Sequence, residues 1–334
     1  MVLQQWGAKM KYFLLRSKAL VAAIPFIFAS GLGFAAESVK IVFVGDVMLD
    51  ELPGERIAKG FDPFAEFAEM FKSADLSIAN LECAVGFKNQ PKIKAMKEDK
   101  PFTFMAHPRV LPLLKKHFNA VSLANNHSGD YGPAAFDGML NHLDTAGVKY
   151  FGGGRNLRQA HEPALFTVKG QRIAILAYNL FLPRSFEALD DRPGSAWGEE
   201  DYIADGIRRA RQIHKADFVV VYPHWGWENE KFASRTQQRL AQFMLDHGAD
   251  AVVGGHPHVT QNIQIYDRKP IFYSLGNFVF NGFDTTDTNT GWVLELELNS
   301  GKGAKWRIFE AHMDKWGVPK NKGLVSTVDL SQSK

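Results

Sequence analysis

Ala249-Asp-Ala-Val-Val-Gly-Gly-His-Pro-His258 is the stretch whose reading decides the fold. Val252-Val253 is a β-branched apolar pair suited to a buried strand. Gly254-Gly255 follows at once, where a backbone without Cβ can turn sharply and approach a neighbour closely. Pro257 stiffens the tip, so His256 and His258 leave the strand end in fixed directions. Imidazole is the commonest protein ligand for transition metals. Two of them, one residue apart on a rigid strand exit, make half of a site for one or two ions. Taken alone, the segment also reads as a polar turn with solvated histidines. What favours metal is that the chain repeats the arrangement.

Working outward, Val39 to Leu49 is a continuous apolar run that ends in Gly45-Asp46, the pattern of a strand buried on both faces. Asp75 to Leu81 ends in Asn80-Leu81-Glu82. Ala120 to Ala124 ends in Asn125-Asn126-His127. Asp217 to Tyr222 ends in Pro223-His224-Trp225-Gly226. Helical periodicity fills the gaps at 63–71, 107–117, 133–146, 200–215 and 234–247. Pro133 stands at a helix start, and Gly147 and Gly248 just past helix ends. Alternating strands and helices predict an α/β fold with a largely parallel sheet, and a second, more antiparallel sheet contributed late in the chain. Open α/β sheets place ligands at the carboxyl ends of their strands. Asp46, Glu82, Asn126 with His127, His224, and His256 with His258 all fall there, which predicts one convergent site.

The chain has 334 residues, 46% of them hydrophobic and 22% charged, enough for one large α/β domain or two small ones. Lys9, Lys11, Arg16 and Lys18 precede the apolar run Ala19 to Phe28, and small residues follow. Residues 1–36 therefore read as a signal peptide with cleavage near Ala35 or Ala36, and a retained membrane anchor is the alternative. The expected domain is 37–320, with 321–334 as a C-terminal tail. Removing those four cations, with no acid before Glu37, takes the formal charge from +3 to −1. No global basic field then points to nucleic acid. Cys83 is the only cysteine, so an internal disulfide is excluded and a small buried hydrophobe is expected.

The stretches Val44-Gly-Asp-Val-Met-Leu49, Asn80-Leu-Glu82, Leu123-Ala-Asn-Asn-His127 with Asp130-Tyr-Gly132, His224-Trp-Gly-Trp-Glu228, Gly255-His-Pro-His-Val-Thr-Gln261 and Tyr273-Ser-Leu-Gly-Asn-Phe-Val-Phe280 stand in one order. In that order they resemble the calcineurin-like metallophosphoesterase superfamily, and more closely its CapA branch, named for poly-γ-glutamate capsule biosynthesis. The resemblance implies a four-layer αββα sandwich: two central β-sheets flanked by helices. It implies one or two divalent ions (Mn, Fe, Zn or Mg). Asp46 and His258 would serve a first metal, Glu82 would bridge, and Asn126, His224 and His256 would complete a second. His127 would act on the leaving group. Two such cations lower the pKa of a bridging water toward ~7 and clamp an oxyanion. Typical phosphoesterases have Asp-x-His in the first motif and a bridging Asp. Here Met48 stands in the histidine's place and Glu82 in the bridging one, as is typical of the CapA branch.

Other residues carry two readings each. Glu228 is either a carboxylate orienting His224 or a solvated charge. Trp225 and Trp227 either stack on substrate or pack. Asn80, Asn125 and Asn277 are placed to support the ligands. Lys88, Lys92, Lys94, Lys97 and Lys100 suit a polyanion, but Glu98 and Asp99 interrupt them and favour a solvated loop. Two functions follow. One is an exported metal-dependent hydrolase of a phosphoester or of the amide backbone of an anionic polymer such as poly-γ-glutamate. The other is a non-catalytic polyglutamate-binding assembly factor with the same pocket. Polyglutamate synthase subunits are the expected protein partners.

Overall fold

A computed structural model describes residues 37–88, 100–299 and 303–331. The expected signal segment and most of the lysine-rich loop lie outside the described residues. Among the described residues, no helix is long and apolar enough to cross a membrane.

The strands of the first sheet are β1 (Val39–Val47), β2 (Leu76–Leu81), β3 (Ala120–Ser122) and β4 (Tyr150–Phe151). Those of the second are β5 (Ala164–Val168), β6 (Gln171–Asn179), β7 (Phe218–His224), β8 (Ala251–Val253), β9 (Ile263–Tyr266) and β10 (Lys269–Phe272). The chain then returns to the first sheet as β11 (Asn277–Val279), β12 (Thr290–Asn299), β13 (Gly303–Met313) and β14 (Pro319–Asp329). The first sheet runs β14-β13-β12-β1-β2-β3-β4, with β11 also paired to β1. The second runs β9-β10-β8-β7-β6-β5. Strands β1 to β4 are mutually parallel, as are β6, β7, β8 and β10.

The alternation of side chains builds the layers. On β1, Val39, Ile41 and Phe43 meet Ile173, Ile175, Val220 and Val253 between the sheets. Val42 and Val44 face the other way, into a cluster that includes Ile57, Leu114 and Leu140 from the helices Glu51–Ala58, Leu111–His117 and Gly132–Ala146. On the far side, Ala174, Leu176, Val219 and Val221 pack against Ile203, Ile207, Leu240 and Met244 of helices Glu200–Gln212 and Arg235–Asp246. The result is the four-layer αββα sandwich. Helix Arg235–Asp246 starts at a capping box, in which Ser234 accepts from the Gln237 N–H and Gln237 from the Ser234 N–H.

Three expectations are corrected. Of the late antiparallel strands, only the β9–β10 hairpin lies in the second sheet. Strands β12 to β14 extend the first, because β12 pairs antiparallel to β1 along Val39–Val44 and the hairpins continue outward. The tail expected at 321–334 is mostly strand: β14 crosses that boundary and hydrogen-bonds to β13 as the sheet edge. Helix Glu51–Ala58 was not expected, since Pro53 and Gly54 mask it. Proline is tolerated there because a first-turn N–H has no partner within the helix.

Candidate metal centre

The parallel strands of both sheets end at one edge. From the first sheet come Asp46 within β1, Glu82 one residue past β2, and Asn125 to His127 past β3. From the second come His224 at the end of β7 and His256 and His258 past β8. A register shift between Phe43 and Asp46 against β2 takes Asp46 out of the strict alternation of β1. Gly255 has to be glycine for a steric reason: a Cβ there would lie 2.7 Å from Asp46 Oδ1.

Asp46 is held from both sides. Asn80 Nδ2 donates to Oδ1 at 2.8 Å, and the His256 N–H donates to Oδ2 at 3.1 Å. Asn80 is itself fixed by Asn125, whose Nδ2 donates to Asn80 Oδ1 at 2.9 Å. The other end of Asn125 accepts from the His127 and Ser128 N–H groups. His224 Nε2 lies 2.8 Å from Asn126 Oδ1 and 3.5 Å from Glu82 Oε1, and its Nδ1 lies 3.2 Å from Asn80 Nδ2. Asn277 Oδ1 holds His258 Nδ1 at 2.8 Å, which leaves His258 Nε2 on the Glu82 side, 3.9 Å from Oε1. Both carboxylate oxygens of Glu82 and both ring nitrogens of His256 are buried without a hydrogen-bond partner among the described residues.

Potential ligand atoms of Glu82, His256 and His258 lie within 4.8 Å of one another, and so do those of Asp46, Glu82 and His224. Glu82 is common to both groups. His258 Nδ1 also lies 3.5 Å from Asp46 Oδ2, so the donors form one continuous cluster about Glu82.

Burial pushes the carboxyl groups of Asp46 and Glu82 upward, Glu82 well above the usual range, with the neighbouring Asp46 charge adding to the rise. Burial likewise drives His224 and His256 well below the ordinary imidazole value, and the adjacent histidines add to the shift. A cation suits this donor set on both counts. Neutral imidazoles are ready ligands, and a bound cation supplies the positive charge that buried carboxylates need.

His127 stands beside these donors. Its Nδ1 lies 2.8 Å from Asp130 Oδ2. Lys100, expected with the other lysines in a solvated loop, is instead at the site: its ammonium reaches Asp130 Oδ1 and the Asn126 carbonyl, and lies 3.2 Å from His127 Nδ1. Its side chain is 12% exposed, so Lys100 is not part of a solvated loop. No local signal separates it from the other lysines, because the partner acid is 30 residues away. Asp130 stands three residues past His127 in a turn ahead of helix Gly132–Ala146, and its pairing with the ring is visible only in the structure.

Position separates the paired readings. Glu228 is exposed and does not orient His224, whose nitrogens face Asn80 and Asn126. Trp225 is buried, donates Nε1–H to the Tyr273 carbonyl at 2.8 Å and packs in the outer core, out of reach of substrate. Met48 packs in the helix-side core, where its sulfur accepts from the Asp50 N–H at 3.2 Å. Cys83 is buried, and burial raises its thiol to about 12, in keeping with an inert hydrophobe.

Residues 40–282 match the family described as bacterial capsule synthesis protein PGA_cap. The chain belongs to this family. Similar proteins include the capsule biosynthesis protein CapA of Bacillus anthracis, 33% identical over 73% of this chain and 60% of the relative. The PGA biosynthesis protein CapA of Bacillus subtilis is 31% identical over 79% of this chain and 73% of the relative. A probable polyglutamine synthesis accessory protein of Mycobacterium tuberculosis is 29% identical over 70% and 64%. The match thus spans about three-fifths of the B. anthracis relative's length. Among solved structures, the Haemophilus influenzae NAD nucleotidase is similar at 12% identity and a TM-score of 0.40, over 88% of this chain and 50% of that one. The matched PGA_cap segment holds every residue of the centre, from Asp46 to Asn277.

Proposed function

We propose that this PGA_cap family member is an exported, metal-dependent hydrolase that acts on a phosphoester or a polyglutamate amide during production of a poly-γ-glutamate capsule or related envelope polymer. The observation that carries the reading is the set of buried, unpartnered ligand atoms on Glu82 and His256 amid Asp46, His224 and His258. Asp46, Glu82, Asn126, His224, His256 and His258 would hold one or two divalent ions. Such an ion supplies Lewis acidity, lowering the pKa of bound water and neutralising charge on an ester or amide oxygen.

The chain's own residues do the rest. Asn80 and the His256 N–H fix Asp46, and Asn277 fixes His258, so the donors are set before substrate arrives. Asp130 takes His127 Nδ1 and leaves Nε2 as the nitrogen available to a leaving group. Burial holds His127 below the ordinary imidazole value, against the pull of Asp130. An anionic substrate beside the ring restores the positive charge that burial opposes. Lys100 brings a fixed cation to the same place.

Support for the polymer comes from relatives described as capsule and PGA biosynthesis proteins. Support for export is the charged, then apolar, then small-residue N-terminus. N-terminal sequencing of protein from a native-like host tests export, and a retained apolar segment in the membrane fraction makes the protein anchored instead. Metal content after purification, then hydrolysis of phosphoesters and shortening of poly-γ-glutamate with Mn²⁺, tests the reaction. Protein that binds no metal on reloading sinks the proposal. Metal-loaded protein that cleaves neither substrate favours the second reading, a polyglutamate-binding assembly factor. The observation behind that reading is Met48, which lies in the core and gives the centre no ligand where phosphoesterases carry a histidine.

A further inference from the structure

Two aromatic walls lead out from the centre. On one, the His256 ring lies 3.8 Å from Phe181, which meets Trp227 edge-on at 5.7 Å. On the other, the His127 ring lies 4.6 Å from Phe104, which stacks with Phe102 at 6.4 Å. Each wall begins on a histidine of the centre and ends on an exposed ring, Trp227 at 66% and Phe102 at 63%. Phe102, Phe181, Leu182 and Trp227 line one cleft of about 580 Å³ that also reaches Lys100 and His127. Singly exposed apolar side chains are ordinary on a protein surface. Three large ones, Phe102, Leu182 and Trp227, on the lining of a single cleft are a patch that calls for an occupant.

Charge says what kind of occupant. Among the described residues, Lys100 is the only cation that lines the cleft, and it sits beside His127. Glu228 also lines the cleft and repels further negative charge. A polyanion with a carboxylate on every unit would set its repeated charges against apolar walls and Glu228. A ligand with one anionic head and an apolar body meets a cation at the head and ring faces along the body.

We propose that this cleft selects a phosphoester with a single anionic head and a flat apolar substituent, the head beside Lys100 and His127 and the substituent between Phe102 and Trp227. This deepens the hydrolase reading and rests on it for the bond that is cleaved.

Phosphonates, which are not hydrolysed, separate the two ideas. Calorimetry on the full chain, with Mn²⁺ and again after chelation, compares phenylphosphonate with methylphosphonate. The expected result is phenylphosphonate binding about tenfold tighter in both conditions. Trp227→Ala and Phe102→Ala, both at exposed positions, should each lose most of that preference and leave methylphosphonate affinity unchanged. Equal affinities, no binding of either probe, or a preference that survives both substitutions overturns the proposal. So does a γ-linked glutamate oligomer that binds the Mn²⁺-loaded protein more tightly than phenylphosphonate. A protein that shows the aryl preference but hydrolyses no phosphoester or polyglutamate keeps this inference and loses the hydrolase.

Discussion

His256 presents its imidazole from a backbone at φ = 96°, a region that side-chain-bearing residues rarely enter, and His258 sits at φ = 57°. Such strain costs of order 1–3 kcal/mol and persists where surroundings over-determine it. Here the His256 N–H bond to Asp46 and the Asn277 contacts to His258 do so. His256→Ala should therefore bind little metal by mass spectrometry. His127→Ala should keep its metal and lose activity by about 10²–10⁴-fold, the usual worth of general acid–base catalysis. Equal loss of metal in both variants would show that His127 is a ligand. Met48→His should lower the melting temperature and add no metal, since it places an imidazole in an apolar core. A rise in metal occupancy would contradict that. Away from the centre, His161 lies between the rings of Tyr178 and Tyr202 with neither nitrogen hydrogen-bonded among the described residues, and burial lowers it to about 4. The folded value lies below the ordinary 6.5, so the stability of the neutral ring is whole above pH 6.5 and is lost as pH falls toward 4. The loss is of order 3 kcal/mol. His161→Phe cannot protonate, and its melting temperature should fall less steeply than wild type across that window. Parallel curves would exclude the effect.

Among the elements, β14 is where the expectation of a tail and the structure part most. The strand carries exposed Leu324 and Val325 and alternates buried and open positions only weakly, so its sequence looks like a linker. Its pairing with Lys305–Met313 is what orders it. Ending the chain after Gly317 would strip the edge from β13 and should lower the melting temperature by about 5–10 °C. Ending it after Ser331 should change nothing measurable. A melting curve unmoved by ending the chain after Gly317 would return β14 to the status of a tail. Most helices were legible because apolar periodicity and end signals agreed. Gly147, at φ = 66° just past Ala146, ends its helix as expected. Helix Glu51–Ala58 was hidden because its Pro and Gly are local breakers, and burial of Pro53 and Ile57 outweighs that propensity.

For the whole molecule, the question is whether metal holds the fold. Three apolar clusters fill the spaces between the four layers without help from the centre. A chelator should therefore lower the melting temperature without unfolding the protein at 25 °C. Binding to the native state adds only about 2.7 kcal/mol at a hundredfold excess over the dissociation constant. Complete loss of circular dichroism on chelation at 25 °C would show that the centre is structural.

The sequence by itself determined the layers and the strand ends. Apolar runs such as Val39 to Val44 have the pattern of strands buried on both faces, and each runs into polar residues at its carboxyl end. It could therefore point to Asp46, Glu82, Asn126, His127, His224, His256 and His258. Tertiary structure decided everything that depends on chain segments far apart. It gave β12 to β14 to the first sheet, because strand pairing is set by register with β1 rather than by local pattern. It turned Met48 into the core and Asp46 toward the ligands, through a register shift that no periodicity reveals. It also brought Lys100 to Asp130, because a buried carboxylate needs a cation and only the folded chain fixes which lysine can reach it.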